Sequence, residues 1–242
     1  MKCDVLTLFP DILTAYLNES IIKRAREKNL LDIKLYNIRD FASGPHRTVD
    51  DSPYGGGAGM VFKPEPIFRI VDYLKKDGEP RKVILLSPQG VTFDQSKAEA
   101  YAKEDRRFIF ICGRYEGIDE RVKVLVDEEI SIGDYVITGG ELGALVIIDA
   151  VTRLIPGALG DEKSVEDESF SWGLFDYPHY TRPREFRGMP VPNVLVSGNH
   201  KEIWLWRRKE ALKKTIKIRP DLIEKLKLTD IDKKILKSIE EE

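Results

Sequence analysis

Apolar positions along the chain switch repeatedly between continuous runs and a helical period. Val5 to Phe9, apolar except for Thr7, predicts a buried strand. Pro10 then opens a helix over residues 11–28, with Ile12, Leu13, Tyr16, Leu17, Ile21 and Ala25 on one face. Leu31 to Tyr36 alternates in the manner of a strand. A helix over 65–76 and a strand over 82–86 follow, the strand ending in a turn at Ser87-Pro88-Gln89-Gly90. The next helix covers 95–103 and leads into the strand Phe108 to Cys112. The Val136-Ile137 step reads as a further strand, and Leu142 to Ile155 as a buried helix stopped by Pro156-Gly157. Strands alternating with helices predict an α/β domain on a mainly parallel sheet. Threaded chains are nearly absent among folds, so the pattern alone predicts an open sheet.

Strand ends near Ser87–Gly90, Gly113–Gly117 and Ile132–Thr138 can share one edge of that sheet, where ligands of parallel sheets sit. The last two stretches hold glycines that let a ligand approach bare backbone. They also hold Arg114, Glu116, Asp119, Asp134, Tyr135 and Glu141, more polar groups than a turn requires. The long stretch Arg39 to Met60 carries Arg47, Asp50, Asp51, Tyr54 and Gly55-Gly56-Gly57. It reads either as a substrate loop or as plain disorder. The Lys and Ser/Thr of a phosphate-binding P-loop are missing after its glycines.

Composition narrows the class. The chain has 242 residues, 42% apolar and 33% charged, enough for one large globular domain or two smaller ones. Cys3 and Cys112 each lie in an apolar run and read as buried reduced thiols, and His46, His179 and His200 are too scattered for a metal site. Neither a signal peptide nor an uninterrupted bilayer span is apparent, which points to a cytoplasmic protein without membrane contact.

The net charge of -2 conceals an uneven distribution. Residues 161–169 are acidic and almost free of apolar side chains, as in a linker. Pro178, Pro183, Pro190 and Pro192 then interrupt regular structure until about Asn199. Helices follow, with Ile203, Trp204, Leu205 and Leu212 as expected core. Within 201–219, Lys201, Arg207, Arg208, Lys209, Lys213, Lys214, Lys217 and Arg219 face only Glu202 and Glu210, a net +6 suited to phosphate contacts.

Five stretches together resemble the bacterial tRNA (guanine-37-N1)-methyltransferase family of the SPOUT class. They are Val49 to Gly57, Leu86 to Gly90, Gly113 to Arg121, Ser131 to Leu142 and Pro178 to Pro183, in the family's order. The resemblance extends over essentially the whole chain. It implies a deep trefoil knot in the parallel sheet, a homodimer, S-adenosylmethionine as methyl donor and a tRNA with guanine at position 37 as substrate. Magnesium assistance belongs to the same expectation, although no ligand cluster in the sequence identifies a site for it. The implied division is a knotted methyltransferase domain over 1–160, a linker over 161–170 and a small, mostly helical tRNA-binding domain over 171–242.

The resemblance also assigns residues. Gly113, Ile132, Gly133, Asp134, Tyr135, Val136 and Ile137 would hold the donor, with Leu86, Ser87 and Pro88 on the opposite wall and Tyr115, Glu116, Gly139 and Gly140 nearby. N1 of guanine carries a proton at neutral pH, so methylation there requires a base and stabilisation of charge spreading toward O6. The implied arginine is Arg153. The implied base is a carboxylate before Ser169-Phe170, which is Glu168, with Asp167 as the alternative. Two other readings remain open at this stage: a SPOUT methyltransferase for another RNA site, and a non-catalytic RNA-binding protein of the same fold.

Overall fold

A computed structural model describes residues 1–159 and 168–241, and divides the chain into the compact units Met1–Gly160 and Asp161–Glu242. The first unit is built on five parallel strands: β1 (Lys2–Thr7), β2 (Asp32–Asn37), β5 (Arg81–Thr92), β6 (Arg107–Cys112) and β7 (Glu128–Ser131), in the order β2-β1-β6-β5-β7. The central strands read as unbroken apolar runs because helices cover both faces. Successive residues alternate between the two cores. Cys3, Val5, Ile84, Phe108, Phe110 and Cys112 face α1 (Pro10–Leu17), α2 (Ser20–Glu27), α4 (Gln95–Ala102) and α5 (Glu141–Thr152). Leu6, Val83, Leu85, Ile109 and Ile111 face α3 (Pro64–Lys75) and short 3-10 turns at Ile38–Phe41 and Glu120–Leu125.

Four expectations are corrected here. The single helix over 11–28 is two helices, separated by Asn18 and an extended Glu19, with Ser20 opening the second at φ +51°. Asn and Ser compete with the helical backbone, and the Arg26 guanidinium satisfies the freed Leu17 carbonyl at 2.9 Å. The break rotates the buried face, so Ile22 packs inward in place of Ile21, and Ile12 and Tyr16 are exposed. Second, β5 does not end at Leu86. Residues 87–90 bulge out, and Val91 and Thr92 return to the partner strand β7, with both Leu86 and Val91 in register with Ile130. At Gly90 a Cβ would collide with the backbone of Glu129 and Ile130, so this return requires glycine.

Third, the strand expected at Val136-Ile137 lies earlier, at β7, where Ile130 is fully buried while Val136 is 87% exposed. Charged Glu128 and Glu129 hid it from an apolar-run reading. Fourth, the helix expected over 142–155 is not buried all round, since Leu142 and Val146 face outward. The 39–60 stretch is not structureless either. Its middle, β3 (Asp50–Asp51), forms a two-stranded antiparallel pair with β4 (Val61–Phe62), just past its end.

The second unit contains a short hairpin, β8 (Glu185–Phe186) with β9 (Met189–Pro190), and helices α6 (His200–Ile218), α7 (Pro220–Lys225) and α8 (Asp230–Glu240). Its core gathers Leu174, Tyr177, Ala211, Leu212 and Ile235. Leu212 is buried as expected, whereas Trp204 is 47% exposed. Among the described residues no helix is long and apolar enough to cross a membrane.

Candidate active site

The C-terminal ends of β5, β6 and β7 open into a cavity of about 410 Å³. After β7 the chain crosses back over the ends of β5 and β6 before entering α5. This crossing is tight because it is made of glycine. Gly140 donates its amide to the Gly113 carbonyl at 2.9 Å, and Gly139 pairs with Arg114 as an antiparallel bridge. A Cβ on Gly140 would stand 2.8 Å from Cys112 Cα and 3.0 Å from Leu86 Cβ. Gly133 adopts φ +144°, with Tyr135 folded over it such that a Cβ would lie 2.6 Å from the ring. Contacts between Ser131 Oγ and Gly133 brace the same turn.

One wall of the cavity is Leu86, Ser87, Pro88 and Gln89. Another is Gly113, Tyr115 and Glu116, and the third runs through Ile132, Gly133, Tyr135, Val136, Ile137, Gly139 and Gly140. Asp134 is exposed and stands outside the lining. The Val136 side chain points largely to water, so what the 132–137 stretch presents to a ligand includes much backbone. Arg114 and Thr138, from the polar set and the strand end read in the sequence, also line the cavity, as do Ile118 and Gly143, which the sequence does not single out. Gly143 sits in the first turn of α5, where an isolated helix glycine marks close packing: a Cβ there would be 3.1 Å from Leu86 Cδ1.

Beneath the loops lies Glu141, 1% exposed, in the first turn of α5, where the helix dipole favours negative charge. Its carboxylate accepts from Thr7 Oγ1 at 2.7 Å and pairs with the Arg114 guanidinium at 3.2 Å. Arg114 in turn lies over the Phe9 ring at 4.1 Å. The 113–116 loop is thus anchored from below. Burial and the Glu141 charge push the Cys112 thiol up, so it stays neutral under the site.

From above, the 39–60 segment docks on the same loop. Glu116 donates its amide to the Met60 carbonyl at 3.1 Å, and Phe62 exchanges backbone hydrogen bonds with Gly117 and Asp119. Gly59 approaches so closely that a Cβ would lie 2.5 Å from Glu116 Cγ. Tyr115, at φ +61°, packs edge-on against Phe62. Its phenol is raised by partial burial and by the neighbouring Asp50 carboxylate. This docking answers the open reading of the segment: it packs on the loop that walls the cavity, while none of its own residues lines it.

Arg153 caps the C-terminal end of α5 and is half-buried. Glu168 is half-buried in the other unit, where its carbonyl accepts from the amide and hydroxyl of Ser171 at 3.2 and 2.9 Å. Asp167 lies outside the described residues. Among the described residues no three His, Cys, Asp or Glu side chains converge as a metal site would require.

The basic run of α6 is corrected at one position. Arg208 points inward and makes a two-pronged pair with Asp232 at 2.7 and 3.0 Å, beneath the Trp172 ring. Asp232 also closes the capping box of α8 with Thr229. Lys201, Lys213, Lys214 and Lys217 remain exposed.

The sequence model of the family described as tRNA (Guanine-1)-methyltransferase TrmD matches residues 1–225. A protein of Dictyoglomus turgidum is 57% identical over 242 residues, covering 100% of this chain and 98% of its own length. One of Anoxybacillus flavithermus is 60% identical over 236 residues, covering 97% and 96%. One of Brevibacillus brevis is 56% identical over 243 residues, covering 100% and 99%. All three are named tRNA (guanine-N(1)-)-methyltransferase.

Proposed function

The chain belongs to the tRNA (guanine-1)-methyltransferase family, and from that premise we propose that it methylates N1 of guanine 37 in tRNA with S-adenosylmethionine as donor. The observation that carries the reading is the glycine-built cavity at the ends of β5, β6 and β7. Its volume of about 410 Å³ falls within the usual range for small-molecule sites, and Gly133 and Gly140 wall it where any side chain would collide with Tyr135, Cys112 or Leu86. The residues present therefore fit the donor, which when bound supplies an electrophilic methyl group.

The chain's own residues do the remaining work. The 132–137 backbone and the Leu86–Pro88 wall bind and orient the donor and keep water away from its reactive end. Glu168 takes the proton from guanine N1, and Asp167 is the alternative for that role. The Arg153 guanidinium stabilises negative charge gathering at O6. The 39–60 segment, docked on Glu116, encloses the target base after it leaves its stack. We assign no residues to magnesium.

The same reading includes a trefoil knot within 1–160, a linker over 161–170, a tRNA-binding domain over 171–242, and a cytoplasmic homodimer. The crossing of 132–140 over β5 and β6 supports the knot. An exposed apolar stripe supports the dimer: Phe9, Ile12 and Tyr16 on and beside α1, with Leu142 and Val146 on the neighbouring α5. Val146→Asp is expected to sediment as a monomer where the parent protein is a dimer. An unchanged sedimentation coefficient rejects that interface.

The deciding experiment is methyl transfer to an unmodified transcript with guanine at position 37, beside one with adenine there. Transfer to the guanine transcript alone is expected. General-base loss lowers rates by roughly 10²–10⁴, so Glu168→Gln is expected to fall in that range with donor affinity unchanged. A comparable loss in Asp167→Asn alone would move the base by one residue. Absence of transfer by intact protein that binds donor and tRNA would overturn the catalytic reading.

A further inference from the structure

The second unit has a cavity of its own, about 480 Å³, between the 177–184 segment, the 191–196 segment and the first turns of α6. Its lining divides cleanly. Val191, Leu195, Val196 and Ile203 form an apolar wall, while Arg182, Arg184 and Arg207 supply three cations. Among the described residues no aspartate or glutamate lines it. Arg207 lies over the Tyr177 ring, its guanidinium carbon 4.7 Å from the ring centre, and its buried Nε has no hydrogen-bond partner among the described residues. Among the described residues the Arg184 guanidinium reaches the Asn193 side chain at a long 3.5 Å. On the rim Tyr180 is half exposed and packs against Trp206.

An apolar slot edged by arginines and an exposed tyrosine has a matching ligand chemistry. It suits a planar ring joined to an anion: the base enters between apolar and aromatic surfaces, and the phosphate meets guanidinium groups that bind it in two-pronged fashion. Purely electrostatic contact would require no cavity, and the exposed lysines of α6 already provide for it. We propose that this cavity takes one unpaired nucleotide of the tRNA, distinct from the methylated guanine, with Arg184 and Arg207 on its phosphate or base edge. The inference rests on the tRNA methyltransferase reading and makes the second unit a reader of RNA shape as well as a source of positive charge.

The test uses the full-length protein and whole tRNA transcripts. Arg184→Ala removes a rim cation, and Val196→Trp fills the slot without changing charge. Both are expected to raise KM for tRNA about tenfold, a modest value for loss of one stacked base. kcat, the calorimetric affinity for S-adenosylmethionine and the melting temperature should stay as in the parent protein. A set of transcripts each lacking one unpaired base should then contain one that raises KM of the parent equally and adds nothing in Val196→Trp.

Unchanged KM in both variants overturns the proposal. So does a loss in Arg184→Ala alone that adds to every missing-base transcript, which would reduce the cavity to charge. If the parent protein methylates no guanine-37 transcript, the activity reading fails. The cavity is then judged by filter binding of the same tRNAs to the same variants, with the same two criteria.

Discussion

The two ends of the parallel sheet solve opposite problems. At the N-terminal ends of the strands, charged side chains close on one another. Asp4, 1% exposed, pairs with Arg107 at 3.0 Å, and Arg107 also reaches Asp32 and Glu79. Arg81 adds Asp77 at 2.6 Å. At the C-terminal ends the same strands give way to Gly90, Gly113, Gly133 and Gly140, where side chains are withheld and backbones meet. One end spends its side chains on each other, and the other leaves a space. A buried charge is stable only while its partner is present, whereas a cavity persists only while nothing fills it.

That contrast predicts separable failures. The largest effect is expected from Arg107→Ala, which strands Asp4 without its closest partner and should lower folding stability by about 3–5 kcal/mol. Donor affinity of the molecules that remain folded should be unaffected. Urea denaturation and calorimetry on one preparation check both halves, and a loss of donor affinity in the folded fraction would break the separation. Next is Gly140→Ala. Its backbone, at φ -72°, tolerates alanine, but the added methyl meets Cys112 Cα and Leu86 Cβ. Overpacking of this kind costs about 1–3 kcal/mol, and here donor affinity should fall at least tenfold in protein that still folds. Wild-type affinity in this variant would show that the crossing has slack.

The smallest effect is a pH dependence at Glu128, where β7 begins. Burial opposes its charge, yet hydrogen bonds from Lys97, Tyr101 and Lys82 prevail and hold the carboxyl at about 2, against 4.5 when unfolded. A depressed folded-state value means that this stabilisation is present above pH 4.5 and is lost as pH falls toward 2. Lys97→Met should flatten the decline of melting temperature across that window. An equally steep decline would assign it to other carboxylates.

The fold's skeleton was legible because its signals are local. Runs such as Phe108 to Cys112, the helical spacing of 65–76 and the glycine stretches after β6 and β7 could be read residue by residue. Failures occurred where a neighbour far along the chain decides. β7 begins with two glutamates and becomes a strand because Lys82 and Lys97 are waiting for Glu128. Arg208 belongs to a basic run, yet Asp232, on a different helix, draws it inside. The contents of the candidate cavity were mostly legible as glycine motifs and the polar groups among them, whereas Gly143 became evident only from what it touches.

By itself, then, the sequence determined the alternation of strands and helices, the burial of both cysteines, the glycine loops and the family. Periodicity, turn chemistry and motif order are properties of adjacent residues. Only the tertiary structure decided which side of α5 stays uncovered, that the 39–60 segment docks on Glu116, and that three arginines of the second unit surround a slot. Each of these depends on which surfaces meet across long sequence separations, and no local pattern encodes the identity of a distant neighbour.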